Sequence, residues 1–236
     1  MKRIALPLKA RSLPGPGHAE VWLTDLTALP IDFSEPRHTR RQALARRRLR
    51  QQFILRLLLG AYLGCPGKDV ELVRTARGKP VLAGRWANSP LAFSVSNADE
   101  WLAVAVARGA AVGVDIEIQR PLPRAVRLAR RFLSVPEAEW LNTLDEPLRS
   151  RQFLRQWTAR EALVKARGSA LAVSLGALEL DWQPARIRRL PPDWPGTGRW
   201  TLSPLLLPAR LIGSLALDQP DHRAELLWLT VDLGRD

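Results

Sequence analysis

The stretch QWTAREALVKARGSAL, residues 156–171, governs how the second half of the chain is read. It forms the end of a helix predicted from about Arg149 to Arg167, with Gly168 as its stop. Trp157, Glu161 and Lys165 lie four apart, so a ring, a carboxylate and an ammonium share roughly one helical face. A solvated face accounts for Glu161 and Lys165 as an ordinary ion pair. It accounts less well for the large ring beside them.

Working outward, a helix is expected to open near Ser134, another to span about 124–131, and AAVGVDIEI, residues 110–118, reads as a strand. LAFSVSN and EWLAVAVA alternate as two strands joined near Asn97–Asp99, and VELVRTARGKPVL reads as strand, glycine turn and strand. AEVWLTDL is a short early strand. Downstream, SLGALELDW, ARIRRL, RWTLSPLLL and LIGSLALD suggest a second antiparallel set, interrupted by PPDWPGTG, and ELLWLTV is a last strand. Helix then strands, followed by helices then strands, predicts an α+β chain of two halves, 1–110 and 111–236.

The early helix is expected within residues 32–64, with Ser34 as its cap, Glu35 and Pro36 in its first turn and Gly64 as its end. Leu49, Phe53, Leu57 and Ala61 form an apolar stripe that Ile54 and Leu58 broaden. Arg40, Arg41, Arg46, Arg47, Arg48, Arg50 and Arg56 make the remainder basic. That basic surface reads equally as a solvated face or as one that meets phosphate or an acidic protein.

The composition bounds the chemistry. A chain of 236 residues can bury a substantial core. The single cysteine, Cys65, excludes an intramolecular disulfide and a thiolate-rich zinc site. His18, His38 and His222 are far apart in sequence, which argues against a histidine-cluster metal site. No run is long enough for a signal peptide or a membrane span, so the expected location is the cytoplasm, with no membrane partner. A net charge of +13 favours an anionic partner: a phosphorylated small molecule, an acidic protein or nucleic acid.

In the strand VGVDIE, Asp115 and Glu117 share one face while Val112, Val114 and Ile116 share the other. Two such carboxylates either face water or need a cation or an arginine between them. Magnesium suits oxygen ligands of this kind, Glu161 offers a third, and Lys165 lies one turn further along, where it can meet a phosphate. Trp157 either packs on a ligand or anchors the helix. Lys79 in the turn RGKP could reach a phosphate. Neither GxGxxG nor GxxxxGK[ST] is present, and no GxSxG elbow supplies a serine nucleophile.

Taken together, VGVDIE followed some forty residues later by FLRQWTAREALVKARG resembles the paired motifs of a 4′-phosphopantetheinyl transferase of the Sfp type. RGKP, FSVSNADEW and RRFLSVPEAEWL support the resemblance, which runs from about residue 40 almost to the end. It implies two similar halves related by a pseudo-two-fold axis, each an antiparallel sheet packed with a long helix, commonly acting as a monomer. It also implies a site. Asp115, Glu117 and Glu161 would hold Mg2+, or Mn2+; Lys165 would sit near the pyrophosphate of coenzyme A; and Trp157 would open the helix motif. Glu137 would support the site, and Lys79 would approach the nucleotide 3′-phosphate together with Ser96 and Asn97. Arg56 matches a recurring arginine of the early helix. There are three departures from the pattern: Asn97 replaces the usual histidine, with Ala98 after it; Arg160 replaces a lysine; and Ala170 replaces a glycine.

The reaction so implied moves the phosphopantetheine arm of coenzyme A to a serine of an apo acyl or peptidyl carrier protein of fatty acid or secondary metabolism. Asp115, Glu161 and Lys165 would be the catalytic residues, and the serine proton would go to Glu161 or to a metal-bound water. Glutamate on a cation would be a modest base. Two rivals remain in the reading: a degenerate relative that only binds carriers, and a basic nucleic-acid-binding protein, against which the strand acids argue.

Overall fold

The computed structural model describes residues 2–28, 40–169, 175–182, 185–208, 210–220 and 223–230. Among them the chain forms β1 (Lys2–Ala5), β2 (His18–Asp25), α1 (Arg40–Leu63), β3 (Leu72–Arg74), β4 (Pro80–Leu82), β5 (Leu91–Ala98), β6 (Trp101–Arg108) and β7 (Val112–Ile118). There follow α2 (Ala125–Phe132), α3 (Val135–Asn142), α4 (Leu148–Arg167), β8 (Glu179–Trp182), β9 (Ala185–Arg189), β10 (Thr201–Pro204), β11 (Leu211–Leu217) and β12 (Arg223–Thr230). The architecture is α+β. The expected helix cap at Ser34, with Glu35 and Pro36, lies outside the described residues, as does Ala170.

The stop signals act as the residues require. Gly64 and Gly168 both take positive φ, 66° and 69°, the left-handed conformation that ends α1 and α4. At the start of α3, Ser134 and Glu137 form a reciprocal capping box, and Pro136 occupies the first turn.

The sheets correct the antiparallel expectation. A five-stranded sheet runs β1-β12-β2-β6-β5, and a three-stranded sheet runs β10-β11-β7. The larger one is mixed, because β12 pairs in parallel with both β1 and β2, while β2, β6 and β5 are antiparallel. The strand set expected after α4 therefore divides: β8 pairs with β9, β10 and β11 join β7, and β12 crosses to the other sheet. Apolar residues hold β12 there, with Leu227 and Leu229 buried in the core beneath α1.

Four layers result. Trp22, Phe93, Leu102, Val104 and Val106 on one face of the large sheet pack under α1. The opposite face, including Val21, Leu23, Ala103 and Ala105, shares a core with Val112, Val114, Ile116 and Leu215 of the small sheet. On the far side of the small sheet, Ala162, Leu163 and Ala166 of α4 pack with Ala216, Leu202 and Trp200. Each fully buried leucine or isoleucine contributes about 1.5–3 kcal/mol.

The stripe of α1 also needs correction. Ile54, Leu55, Leu58, Leu59 and Tyr62 are buried, whereas Leu49 and Phe53 are 55% and 50% exposed. The sheet accepts the face centred on Ile54, Leu58 and Tyr62, so Leu49 and Phe53 fall outside it.

Candidate active site

Strand β7 sends Val112, Val114 and Ile116 into the inter-sheet core, which leaves Gly113, Asp115 and Glu117 for the α4 side. Gly113 permits the contact. A Cβ on it would lie 1.9 Å from the Ala162 carbonyl oxygen and 2.5 Å from the Ala166 nitrogen, so strand and helix touch backbone to backbone. Small residues at 162 and 166 complete the approach, and the Thr158 and Ser214 hydroxyls, 3.1 Å apart, tie α4 to β11.

This closeness brings Asp115 and Lys165 together: Lys165 Nζ donates to Asp115 Oδ1 at 2.7 Å. Ser96 Oγ donates to the same oxygen, also at 2.7 Å, and accepts from the Ile116 N–H at 3.3 Å. Ser94 Oγ likewise accepts the Val114 N–H at 3.1 Å. No backbone ladder joins β5 to β7, and these two serines satisfy the buried strand donors instead.

Burial, more than any neighbour, sets the acidity here. It pushes the Asp115 carboxyl above its ordinary range despite Lys165 and Ser96, and Glu117 adds to the rise. Glu161 is pushed up to about 7, first by burial and then by the charge of Asp115, with Lys165 opposing. The early expectation of Glu161 as a weak, low-pKa base applies to a solvated or metal-bound glutamate; its half-buried place beside another carboxylate moves it toward neutrality.

The carboxylates fit a hard cation chemically, since they supply only oxygen and stand uneasily charged beside one another. They are not gathered into a cage. Among the described residues no three His, Cys, Asp or Glu side chains form a metal-holding group. Lys165 engages Asp115, and Arg120 engages Glu117 at 2.8 Å.

Glu161 and Lys165 open onto a cleft of about 810 Å³, whose walls include Arg48, Arg56, Arg74, Arg77, Lys79 and Asn97. Its basic walls suit a polyanionic small molecule. Arg56 also donates to the Val70 carbonyl. Lys79 Nζ donates to the Lys165 carbonyl at 2.6 Å, and Arg77 donates to the Gly168 carbonyl at 2.8 Å. Both cations thus sit at the negative end of α4. Burial pushes the Lys79 ammonium down.

Other expected residues are placed apart from the cleft walls. Ser96 stands behind them, holding Asp115. Trp157 packs between Phe132 and Phe153, with ring centroids 5.4 and 6.1 Å away, which favours the anchoring role. Glu137 accepts from the Ser134 N–H and hydroxyl, from the Leu180 N–H at 3.1 Å and from Arg160 at 2.5 Å. It thereby ties α3 and β8 to α4. Arg160, fully buried in this pair, keeps the charge that a lysine would carry there. The sequence reading missed Arg48, Arg74 and Arg77 as cleft residues. Arg77 opens the RGKP turn, Arg74 lies three residues before it, and Arg48 lies two turns before Arg56, so proximity was the available signal.

A layered α+β fold with an acid–lysine centre beside a basic cleft suits the binding of a polyanionic ligand. Residues 111–201, from just before β7 through the start of β10, match the sequence profile of the 4′-phosphopantetheinyl transferase superfamily. The chain is 35% identical over 162 residues to the 4′-phosphopantetheinyl transferase HetI of Nostoc sp., an overlap covering 67% of this chain and 65% of that protein. It is 31% identical over 206 residues, 82% of each chain, to slr0495 of Synechocystis sp., which carries the same activity as a provisional name. It is 29% identical over 144 residues to the human L-aminoadipate-semialdehyde dehydrogenase-phosphopantetheinyl transferase, 58% of this chain and 47% of the human one. The overlap thus spans just under two thirds of the Nostoc protein and about half of the human one. The chain belongs to the 4′-phosphopantetheinyl transferase superfamily. No helix among its described residues is long and apolar enough to cross a membrane.

Proposed function

We propose that the protein transfers the 4′-phosphopantetheine arm of coenzyme A to a serine of an apo acyl or peptidyl carrier protein, as an Sfp-type holo-carrier synthase. The serine oxygen forms a bond to the β-phosphorus, the bond from that phosphorus to the bridging oxygen breaks, and adenosine 3′,5′-bisphosphate leaves. The observation that carries this reading is the meeting of Glu161 and Lys165 with a cleft walled by Arg48, Arg56, Arg74, Arg77 and Lys79. Family membership supports it. The two helix-and-sheet layers, α1 with the large sheet and α4 with the small one, are read as the related halves of a cytoplasmic monomer.

The cleft cations bind and orient the phosphates of coenzyme A. Arg77 and Lys79 reach them from the β3–β4 turn, while Asn97 donates where a histidine would otherwise add charge. Lys165 offsets the negative charge that grows on the transferring oxygens. Glu161 takes the serine proton directly or through a water; its carboxyl is pushed up to about 7 in the metal-free protein, and a cation held beside it would make it a more modest base. Asp115, Glu117 and Glu161 would hold Mg2+ or Mn2+, which when bound supplies charge neutralisation at the pyrophosphate. Ser96 holds Asp115 in place for this role.

The test is to incubate the protein with coenzyme A, Mg2+ and a panel of apo-carriers and weigh each product. Asp115→Ala should leave the circular dichroism spectrum intact and abolish the mass gain. Conversion by that variant at the wild-type rate overturns the assignment.

A further inference from the structure

The face of α1 turned away from the core carries an apolar pair that nothing in the transfer chemistry uses. Leu49 and Phe53, one helical turn apart, are 55% and 50% exposed. At 100° per residue they lie only roughly 60° around the helix from Gln52 and Arg56, which line the cleft. The pair therefore stands on the cleft's rim. Val73 of β3, itself exposed, is a further apolar residue in the cleft wall. Single exposed apolar residues are ordinary on a protein surface, but a large apolar pair one helical turn apart beside a cleft marks a contact surface.

Its border defines the partner. Arg46 and Arg50 lie on the side of the pair away from the cleft, with Arg48 and Arg56 on the side toward it. α1 contains no acidic residue, and the chain as a whole carries +13. An apolar centre within a cationic rim is complementary to an apolar depression edged by carboxylates, and it repels basic surfaces.

We propose that Leu49 and Phe53 form a docking ridge for an acidic protein, namely the protein that presents the acceptor serine to the cleft. This inference rests on the transferase reading, because a protein hydroxyl can reach Glu161 only if its carrier settles against the cleft rim. The ridge anchors the carrier by apolar burial, and the surrounding arginines speed and orient its approach.

The experiment compares wild type with Phe53→Asp, Leu49→Asp and the conservative Phe53→Leu, using an acidic apo-carrier with a known modification site. Direct binding of that carrier and binding of coenzyme A are measured separately by calorimetry, alongside transfer kinetics. The expected result is carrier affinity weakened, and the KM for carrier raised, by about tenfold or more in Phe53→Asp and Leu49→Asp. Coenzyme A affinity and kcat at saturating carrier should stay near wild type, and Phe53→Leu should bind nearly normally. Unchanged carrier affinity in the aspartate variants overturns the ridge, even if transfer itself is observed. So does a wild type that binds no carrier, a dimer in light scattering that Phe53→Asp converts to monomer, or retention of single-stranded nucleic acid that depends on Phe53. If carrier binds through the ridge and yet gains no mass with coenzyme A and Mg2+, the transferase reading fails while the ridge stands.

Discussion

A glutamate and a lysine four apart on a helix are ordinarily a solvated pair worth a few tenths of a kcal/mol. On α4 the lysine turns instead to Asp115, leaving Glu161 half-buried beside a second carboxylate. A stability signature follows for the metal-free protein. The Glu161 carboxyl rises from its ordinary 4.5 to about 7, so between those values the folded state holds a proton that the unfolded state has lost. Stability is then greatest at the acid end of that window and falls as pH rises through about 7. Solvent screens the half-buried group, so the expected loss is roughly 2 kcal/mol. Asp115, raised in the same direction, adds to it. Chemical denaturation in chelator from pH 5 to pH 8 should show the decline, Glu161→Gln should flatten it, and added Mg2+ should offset it at the alkaline end. An undiminished slope in the glutamine variant would locate its source elsewhere. At this scale the spacing of 157, 161 and 165 and the alternation of VGVDIE marked the acids and the lysine. The orientation of Trp157 was not legible, because helical periodicity gives a face without saying what covers it.

Among the elements, the contact of β7 with α4 is the one on which the site depends. Gly113→Ala would drive a methyl group into the Ala162 carbonyl and the Ala166 nitrogen, both backbone atoms that cannot swing aside. The expected cost is about 1–3 kcal/mol or more, read as a lowered denaturation midpoint. Because separating strand from helix also moves Asp115 away from Lys165, transfer activity should fall further than stability alone explains. A variant with wild-type stability and activity would show that the two elements can part without consequence. Helix ends were largely legible, since Gly64, Gly168 and the Ser134–Glu137 box each act through local backbone geometry. The buried face of α1 was not. Ile54, Leu55, Leu58, Leu59 and Tyr62 compete with Leu49, Phe53 and Leu57 around a helix that is apolar over much of its C-terminal circumference.

Across the whole molecule, the sheet beneath α1 is completed from the far end of the chain. β12 lies between β1 and β2, and its Leu227 and Leu229 belong to the α1 core. Residues 1–110 expressed alone should therefore fail to melt cooperatively by circular dichroism, with the β1 and β2 edges unpaired. A fragment that unfolds in a single sharp transition would contradict this. The serine hydroxyls that join β5 to β7 make the same point, because the two sheets are bonded through side chains as well as packed against each other.

The sequence by itself determined the element types, most of their ends, and the acid and lysine positions that meet between β7 and α4. These depend on neighbours a few residues away, whose periodicity and backbone preferences act locally. Only the tertiary structure decided that β12 runs parallel within the first sheet, that Arg48, Arg74 and Arg77 wall one cleft, and that Leu49 and Phe53 stay outside the core. Those outcomes depend on which apolar face finds a partner distant in sequence, and local patterning is silent about that pairing.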